Sequence, residues 1–275
     1  MNAPALLRRF GLRPDKRLGQ NFLVDESALR KIVEIAAISA EDAVLEVGSG
    51  LGGLTRLLAS QARKVVAVEL DERLIPILRE VISTFPNVQI IQGDILALDL
   101  AQLIDTPHYK VVANIPYYIT SALVRHLLEA GRRPTSLVLT VQREVAGRIC
   151  ASPGELSLLA LSVQVYGQPQ VKAHIPAGAF YPSPKVDSAV IRVDIYPQPA
   201  IPSHLLNTFF RLAKAGFRQK RKTLGNALAA GQAWPKNKAE AMLLAAGIDP
   251  RRRAETLSLE EWEALTHQFV HEKTL

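Results

Sequence analysis

A doubly wound α/β sheet followed by a small all-helical domain is the fold class that this 275-residue sequence predicts. Three observations carry it. Up to about residue 198, short apolar runs alternate with helix-periodic stretches, the pattern of a parallel sheet covered by helices. A glycine-rich turn follows the first of the apolar runs and opens a helix, the position at which doubly wound sheets receive ligands. After a segment with three prolines between residues 196 and 202, the pattern is helical only.

Taken in order, residues 26–37 have helical periodicity, with Asp25 or Ser27 as candidate N-cap. Strands are predicted over residues 43–48, 65–70, 88–93, 110–115, 137–141 and 189–195, several of them apolar on both faces. Helices are predicted between them over 54–61, 72–83, 121–130 and 143–150. Beyond the proline segment, helices are predicted over 204–216, 222–230, 236–246 and 258–270, punctuated by Pro235, Gly247 and Pro250. Ser258 and Glu261 form the S-x-x-E pattern of a capping box at the start of the last one. The expected organisation is a domain over 1–198 and a helical domain over 199–275.

With 48% hydrophobic and 21% charged residues the chain can bury a sizeable core, which excludes overall disorder. The single cysteine, Cys150, excludes an internal disulfide, a cysteine-rich zinc site and an iron–sulfur cluster, and fits a reducing cytosol. No apolar run reaches the ~18 residues of a membrane span. Residues 1–18 lack the apolar core of a secretory signal. Their Arg8, Arg9, Arg13, Lys16 and Arg17 against only Asp15 leave a mitochondrial presequence as the minor alternative. Net charge is +7, and residues 199–275 hold 12 Lys/Arg against 7 Asp/Glu. That imbalance points to a polyanionic partner, most often nucleic acid; solubility is the plainer reading.

The glycine turn runs Glu46-Val47-Gly48-Ser49-Gly50-Leu51-Gly52-Gly53, and Glu69 closes the next strand 21 residues after Gly48. Glycines permit a sharp turn and close ligand approach, and N–H groups at the helix start favour electron-rich groups. A carboxylate at the end of the second strand can accept both hydroxyl hydrogens of a ribose. Together these describe a Rossmann-like site for an adenosine-containing cofactor. Gly48, Gly50 and Gly53 satisfy the dinucleotide pattern G-x-G-x-x-G. Glu46, Gly48, Gly50 and Gly52 equally satisfy E-x-G-x-G-x-G, which resembles the first motif of S-adenosylmethionine (SAM)-dependent methyltransferases. Asp94 ends the third strand, where its side chain can meet the adenine.

Asn114-Ile115-Pro116-Tyr117 follows the fourth strand, at the same sheet edge. The lone pair of an adenine amine is delocalised into the ring. Two acceptors placed at its two hydrogens can pull the nitrogen towards tetrahedral geometry. Asn114 supplies a side-chain oxygen and Ile115 a backbone carbonyl. Pro116 restricts the residue before it and so aims that carbonyl. Tyr117 supplies a face on which a flipped base stacks. Such chemistry uses no metal, and the six histidines form no H-x-x-x-H or H-E-x-x-H pair.

These residues closely resemble the KsgA/RsmA family of ribosomal small-subunit RNA adenine N6,N6-dimethyltransferases. Residues 17–25 are similar to its R-x-G-Q-N-F-L-x-D, and 114–117 to its N-[IL]-P-Y. Residues 142–148 match its Q-[KR]-E-V-A-x-R, and 180–188 its F-x-P-x-P-K-V-D-S, while 217–226 complete the likeness. The resemblance implies that Asn21, Leu23, Gly48, Glu69, Asp94 and Asn114 contact SAM, with Gly50 in the same loop. It implies that Phe180 and Tyr117 hold the target base. It implies a substrate of two adjacent adenosines near the 3′ end of small-subunit (16S) rRNA in an assembling subunit, with no metal, no membrane and a monomeric chain. Arg218, Lys220, Arg221 and Lys222 lie in a run of six cations over 211–222 with no acid among them, expected to meet RNA phosphates rather than form a solvated face. Ser49 stands where the family often has proline, and the loop at 153–158 is shorter than the family's. The alternatives are an Erm-type large-subunit rRNA methyltransferase, a non-catalytic RNA-binding assembly factor on the same scaffold, and an NAD oxidoreductase.

Overall fold

A computed structural model describes residues 2–115, 119–219 and 221–274 of the chain. Pro116, Tyr117 and Lys220 of the expected site residues lie outside this set. The chain forms two compact units, Met1–Ala146 with Pro169–Ile195, and Gly147–Gln168 with Tyr196–Leu275. The second unit therefore takes two segments of chain, and its first segment comes from within the expected 1–198 stretch.

The elements up to residue 195 are α1 (Ala3–Arg9), β1 (Phe22–Leu23), α2 (Glu26–Ala36), β2 (Ala43–Val47), α3 (Gly53–Ala59), β3 (Lys64–Glu69), α4 (Ile75–Val81), β4 (Val88–Gln92), α5 (Leu100–Leu103), β5 (Tyr109–Asn114), α6 (Thr120–Leu128), β6 (Ser136–Gln142), α7 (Arg143–Ile149), α8 (Leu158–Gln164), β7 (Gly167–Ile175), β8 (Phe180–Tyr181) and β9 (Ser188–Ile195). A seven-stranded sheet has the order β4-β3-β2-β5-β6-β9-β7. β2 to β6 pair in parallel, and β9 runs antiparallel to β6. All five residues of β2 are buried, as a central strand covered on both faces requires. The chain leaves β2 towards β3 and β4, then returns to build β5 and β6 on the other side. That reversal beside β2 is where an open α/β sheet forms its crevice. It gathers the carboxyl ends of β2, β3, β4 and β5 at one edge.

Each predicted strand falls within about a residue of the observed one. Asp25 is the N-cap of α2: its carboxylate accepts the Ala28 N–H at 2.8 Å, while Ser27 donates to the same oxygen. β7 escapes a pattern search because most of its residues are exposed and Pro169 lies near its start, features of an edge strand. The basic N-terminal stretch is a folded part of its unit. Ala3 and Leu7 of α1 are buried against Phe22, Leu51, Leu74 and Ile77, and Arg9 pairs with Glu80.

The second unit adds α9 (Leu206–Phe217), α10 (Leu224–Gln232), α11 (Lys236–Ala245) and α12 (Leu259–Thr274). Trp262 is fully buried in its core, edge-on to Phe209 and stacked on Phe217. The capping box forms reciprocally: Ser258 N–H donates to Glu261 at 2.8 Å, and Glu261 N–H donates to the Ser258 hydroxyl at 3.3 Å. Residues 147–168 are tied in by backbone bonds, with the N–H groups of Gly154 and Leu156 both donating to the Glu255 carbonyl. A linear pattern does not show that pairing between distant segments.

α9 and α10 meet at Gly231, where a Cβ would stand 2.5 Å from the Ala215 Cβ and 2.8 Å from its Cα. Gly231→Ala is expected to lower the stability of this unit by about 1–3 kcal/mol, the usual cost of overpacking. Both tryptophans, Trp234 and Trp262, lie in the second unit, so fluorescence-monitored denaturation reports on it directly. An unchanged midpoint would show that the two helices part without cost.

Candidate active site

The carboxyl ends of the parallel strands enclose a cavity of about 250 Å³. Asn21, Gly48, Gly50, Glu69, Asp94, Asn114, Ile115 and Phe180 all line it. Its remaining walls include Leu70, Ile95 and Leu96, an apolar surface suited to a nucleobase.

The loop between β2 and α3 alternates glycines at positive φ: Gly48 at 75°, Gly50 at 55° and Gly52 at 79°. A side chain at Gly50 would also press on the Phe22 ring at 3.1 Å. Gly53 opens α3 and is not among the glycines at positive φ. The positive φ at Gly52 is a demand that E-x-G-x-G-x-G makes at that position, while Gly53 is buried at the first turn of α3. The N–H groups of Gly48, Ser49, Gly50 and Gly52 are already donated, to Val68 O, Val68 O, Glu69 Oε2 and Ser49 O. Those groups supply shape and rigidity rather than free donors for a ligand.

Glu69 ends β3 and is 7% exposed. Its Oε2 accepts the Gly50 N–H at 2.7 Å and its Oε1 accepts the Asp71 N–H at 2.9 Å. Burial pushes its carboxyl above the ordinary glutamate value, against the pull of those two N–H groups. With one bond on each oxygen, both keep lone pairs for vicinal hydroxyls. Asp71 is in turn held by Arg73 at 2.7 Å and by the Gln20 amide at 2.7 Å, and the Arg73 guanidinium keeps its carboxyl below the usual range. Gln20 also accepts the Asp15 N–H at 2.7 Å. Sequence reasoning passes over Gln20 and Asp71; their signal is position, one beside Asn21 and the other two residues past Glu69.

Asn114 ends β5 and is half-buried. One N–H of its Nδ2 donates to the Asn21 carbonyl at 3.3 Å, which orients the amide and leaves the side-chain oxygen as an acceptor. Ile115 is buried and its N–H donates to the Thr140 carbonyl at 3.4 Å. The N-terminal segment also pairs with the Phe180 strand: β1 and β8 form a two-stranded ribbon with Leu23 opposite Phe180. Phe180 is only 4% exposed and forms a wall of the cavity. Leu23 packs with it in the core and lines a smaller adjoining cavity, not the main one. Asp187 of the K-V-D-S stretch accepts the Ala177 N–H at 3.0 Å, and its carbonyl accepts the Arg143 N–H at 3.0 Å. That pair of bonds anchors the loop carrying Phe180. Asp94 is exposed at the rim, with one oxygen accepting the Leu96 N–H at 3.0 Å.

Arg218, Arg221 and Lys222 belong to the second unit and are exposed, with no ion pair among the described residues. Arg211 of the same run instead lies over the Phe269 ring at 4.6 Å. Among the described residues, no group of three His, Cys, Asp or Glu side chains is placed to hold a metal ion, and no helix is long and apolar enough to cross a membrane. The glycine cradle, the buried carboxylate with open lone pairs and the apolar walls fit an adenosine-containing ligand.

A family model described as ribosomal RNA adenine dimethylase matches residues 11–270. The chain is 46% identical over 271 residues to ribosomal RNA small subunit methyltransferase A of Dehalococcoides mccartyi (strain CBDB1), covering 98% of this chain and 92% of that one. It is 42% identical over 275 residues to the protein of the same name from Geobacillus kaustophilus (strain HTA426), covering 96% and 94%. Among solved structures, the 23S rRNA methyltransferase ErmE superposes with a TM-score of 0.72 at 29% identity, over 90% of this chain and 99% of that one. A dimethyladenosine transferase from Plasmodium falciparum superposes with a TM-score of 0.78 at 24% identity, over 92% and 98%, a likeness of fold.

Proposed function

The chain belongs to the ribosomal RNA adenine dimethylase family and is a SAM-dependent rRNA adenine dimethyltransferase; from that premise we propose that its substrate is a pair of adjacent adenosines near the 3′ end of small-subunit rRNA. Each N6 receives two methyl groups, in an assembling subunit, from a cytoplasmic protein acting as a monomer. The observation that carries this reading is the meeting of Glu69 and Asn114 in one cavity. The first offers paired acceptors for ribose hydroxyls, and the second offers an acceptor for an amine.

In this reading Asn21, Gly48, Gly50, Glu69 and Asp94 hold the nucleoside part of SAM, and Leu23 supports the wall beside it. Asn114 Oδ1 and the Ile115 carbonyl hold the two hydrogens of the adenine amine, with Pro116 restricting Ile115. Tyr117 and Phe180 fix the base plane. When bound, SAM would supply an activated, positively charged methyl donor for the amine that Asn114 and Ile115 hold. Fixed geometry is then the main contribution of the protein. The closer match to relatives named for the small subunit than to the 23S enzyme supports the small-subunit substrate. Transfer of labelled methyl to small subunits from a strain lacking the modification, followed by mapping of the modified bases, tests it. Label at two adjacent adenosines is expected; label confined to large-subunit RNA would overturn it.

The second unit is read as the RNA-binding part, through Arg218, Lys220, Arg221 and Lys222. Replacing Arg218, Arg221 and Lys222 by glutamine is expected to weaken binding to small subunits. Because the variant can no longer neutralise up to three phosphates, the slope of log K against log salt falls by about 2–3 units. SAM affinity is expected to stay the same. Parent-like binding across a salt series would reduce the segment to a solvated face.

A further inference from the structure

Glu46 has no role in the reaction as described, yet its position in the fold is unusual. It lies within β2, a strand of otherwise apolar residues, and is 1% exposed. Among the described residues its Oε2 has no hydrogen-bond partner. The carboxyl lines a small cavity directly beneath the glycine loop, shared with Asn114, Gly48 and Gly50, residues that also line the main cavity. Among the described residues lining this smaller cavity, no other is ionisable. A buried carboxyl group with an oxygen left unpartnered is costly even when neutral, and packing alone does not account for it.

The position of Glu46 relative to the ligand follows from the strand order. Glu69 and Asp94 stand at the β3 and β4 side, where the neutral ribose and adenine belong. Asn114 stands at the β5 side, and transfer to an amine held there requires the donor's sulfur at that end. Glu46 shares its cavity with Asn114, so it belongs to the end where the charge of the donor resides. We propose that Glu46 is a specificity-determining residue that favours the cationic sulfonium donor over the neutral thioether product.

The inference rests on the reading of SAM as methyl donor. Without ligand, burial raises the Glu46 carboxyl to about 8, opposed by the Thr55 hydroxyl and reinforced by the charge of Glu69. The group is therefore protonated in the free protein at neutral pH. A sulfonium nearby favours the anion, so donor binding expels the proton to solvent. The thioether carries no charge at sulfur and leaves the proton in place. Donor affinity then rises with pH between the bound and the free pKa, by at most tenfold per pH unit for one proton. The donor and the product carry the same amino and carboxyl groups, so the product is the control for their titration.

Calorimetry of SAM and of S-adenosylhomocysteine at pH 7, each in phosphate and in Tris, counts the protons released on binding. The expected result is most of one proton more for SAM than for the thioether, and loss of that difference in Glu46→Gln. In the variant, the preference for SAM over the thioether falls and no longer changes with pH. Equal proton release by the two ligands with the parent protein overturns the proposal without recourse to any variant. Persistence of the difference in a folded Glu46→Gln protein assigns it to another group, Glu69 first, and overturns the proposal equally. If neither ligand binds, the reading of the cofactor fails along with it.

Discussion

Replacing Asn114 by alanine lowers the single-turnover rate of methyl transfer by about a hundredfold to a thousandfold, the effect seen when one preorganised partner of a transition state is removed. The fold survives, because Asn114 is half-buried and its side chain contributes one long hydrogen bond, 3.3 Å to the Asn21 carbonyl. Loss of such a bond costs about 0.5–1.5 kcal/mol. SAM affinity drops modestly, since Asn114 lines the cavity with Glu69. Labelled-methyl transfer under single-turnover conditions, beside a melting curve, checks all three statements. Turnover within tenfold of the parent would remove Asn114 from the mechanism.

The second large effect belongs to Glu69. Glu69→Ala is expected to raise the dissociation constant for SAM tenfold to a hundredfold, because hydrogen bonds to a charged group are worth ~1.5–3 kcal/mol. Two losses combine here. The ribose hydroxyls lose their acceptors, and the N–H groups of Gly50 and Asp71 lose theirs, which loosens the glycine loop. For the same reason glutamine is a poor substitute. Its single oxygen can accept from one of those N–H groups, while its NH2 faces the other donor. Glu69→Gln is therefore expected to bind SAM almost as weakly as Glu69→Ala. Calorimetric titration of both variants decides this: full rescue by glutamine would mean that only one of the two backbone bonds matters.

Much of this site can be read before any coordinates. Glu69, Asp94 and Asn114 each close an apolar run, and strands apolar on both faces place such residues at one edge of a parallel sheet. The glycine spacing allows two patterns, and the positive φ at Gly52, which only one of them asks for, is legible only in the backbone. Side-chain partners set by long-range folding are not legible in a linear pattern. The Gln20–Asp71 bond joins residues with no common periodicity, and the Asn21 carbonyl reaches Asn114 from a segment 93 residues earlier in the chain. Beyond the helix predicted over 143–150, residues 151–168 receive no element from the pattern, and nothing local tells which unit the segment and its helix α8 join. Glu46 reads as part of a glycine motif, whereas its chemistry depends on burial that only the surrounding strands create.

The ribbon formed by β1 and β8 sets the order in which the site can be completed. During synthesis residues 21–23 leave the ribosome early, but their pairing partners at 180–181 come near the end of the first unit. Until then the strand that carries Phe22 and Leu23 has an unpaired edge, and closing so long a loop is among the slower steps of folding. A nascent chain that has made the glycine loop, Glu69 and Asn114 thus still lacks the wall built from Phe180. The enzyme becomes competent only after most of its own polypeptide exists, because the aromatic wall of its site comes from residue 180.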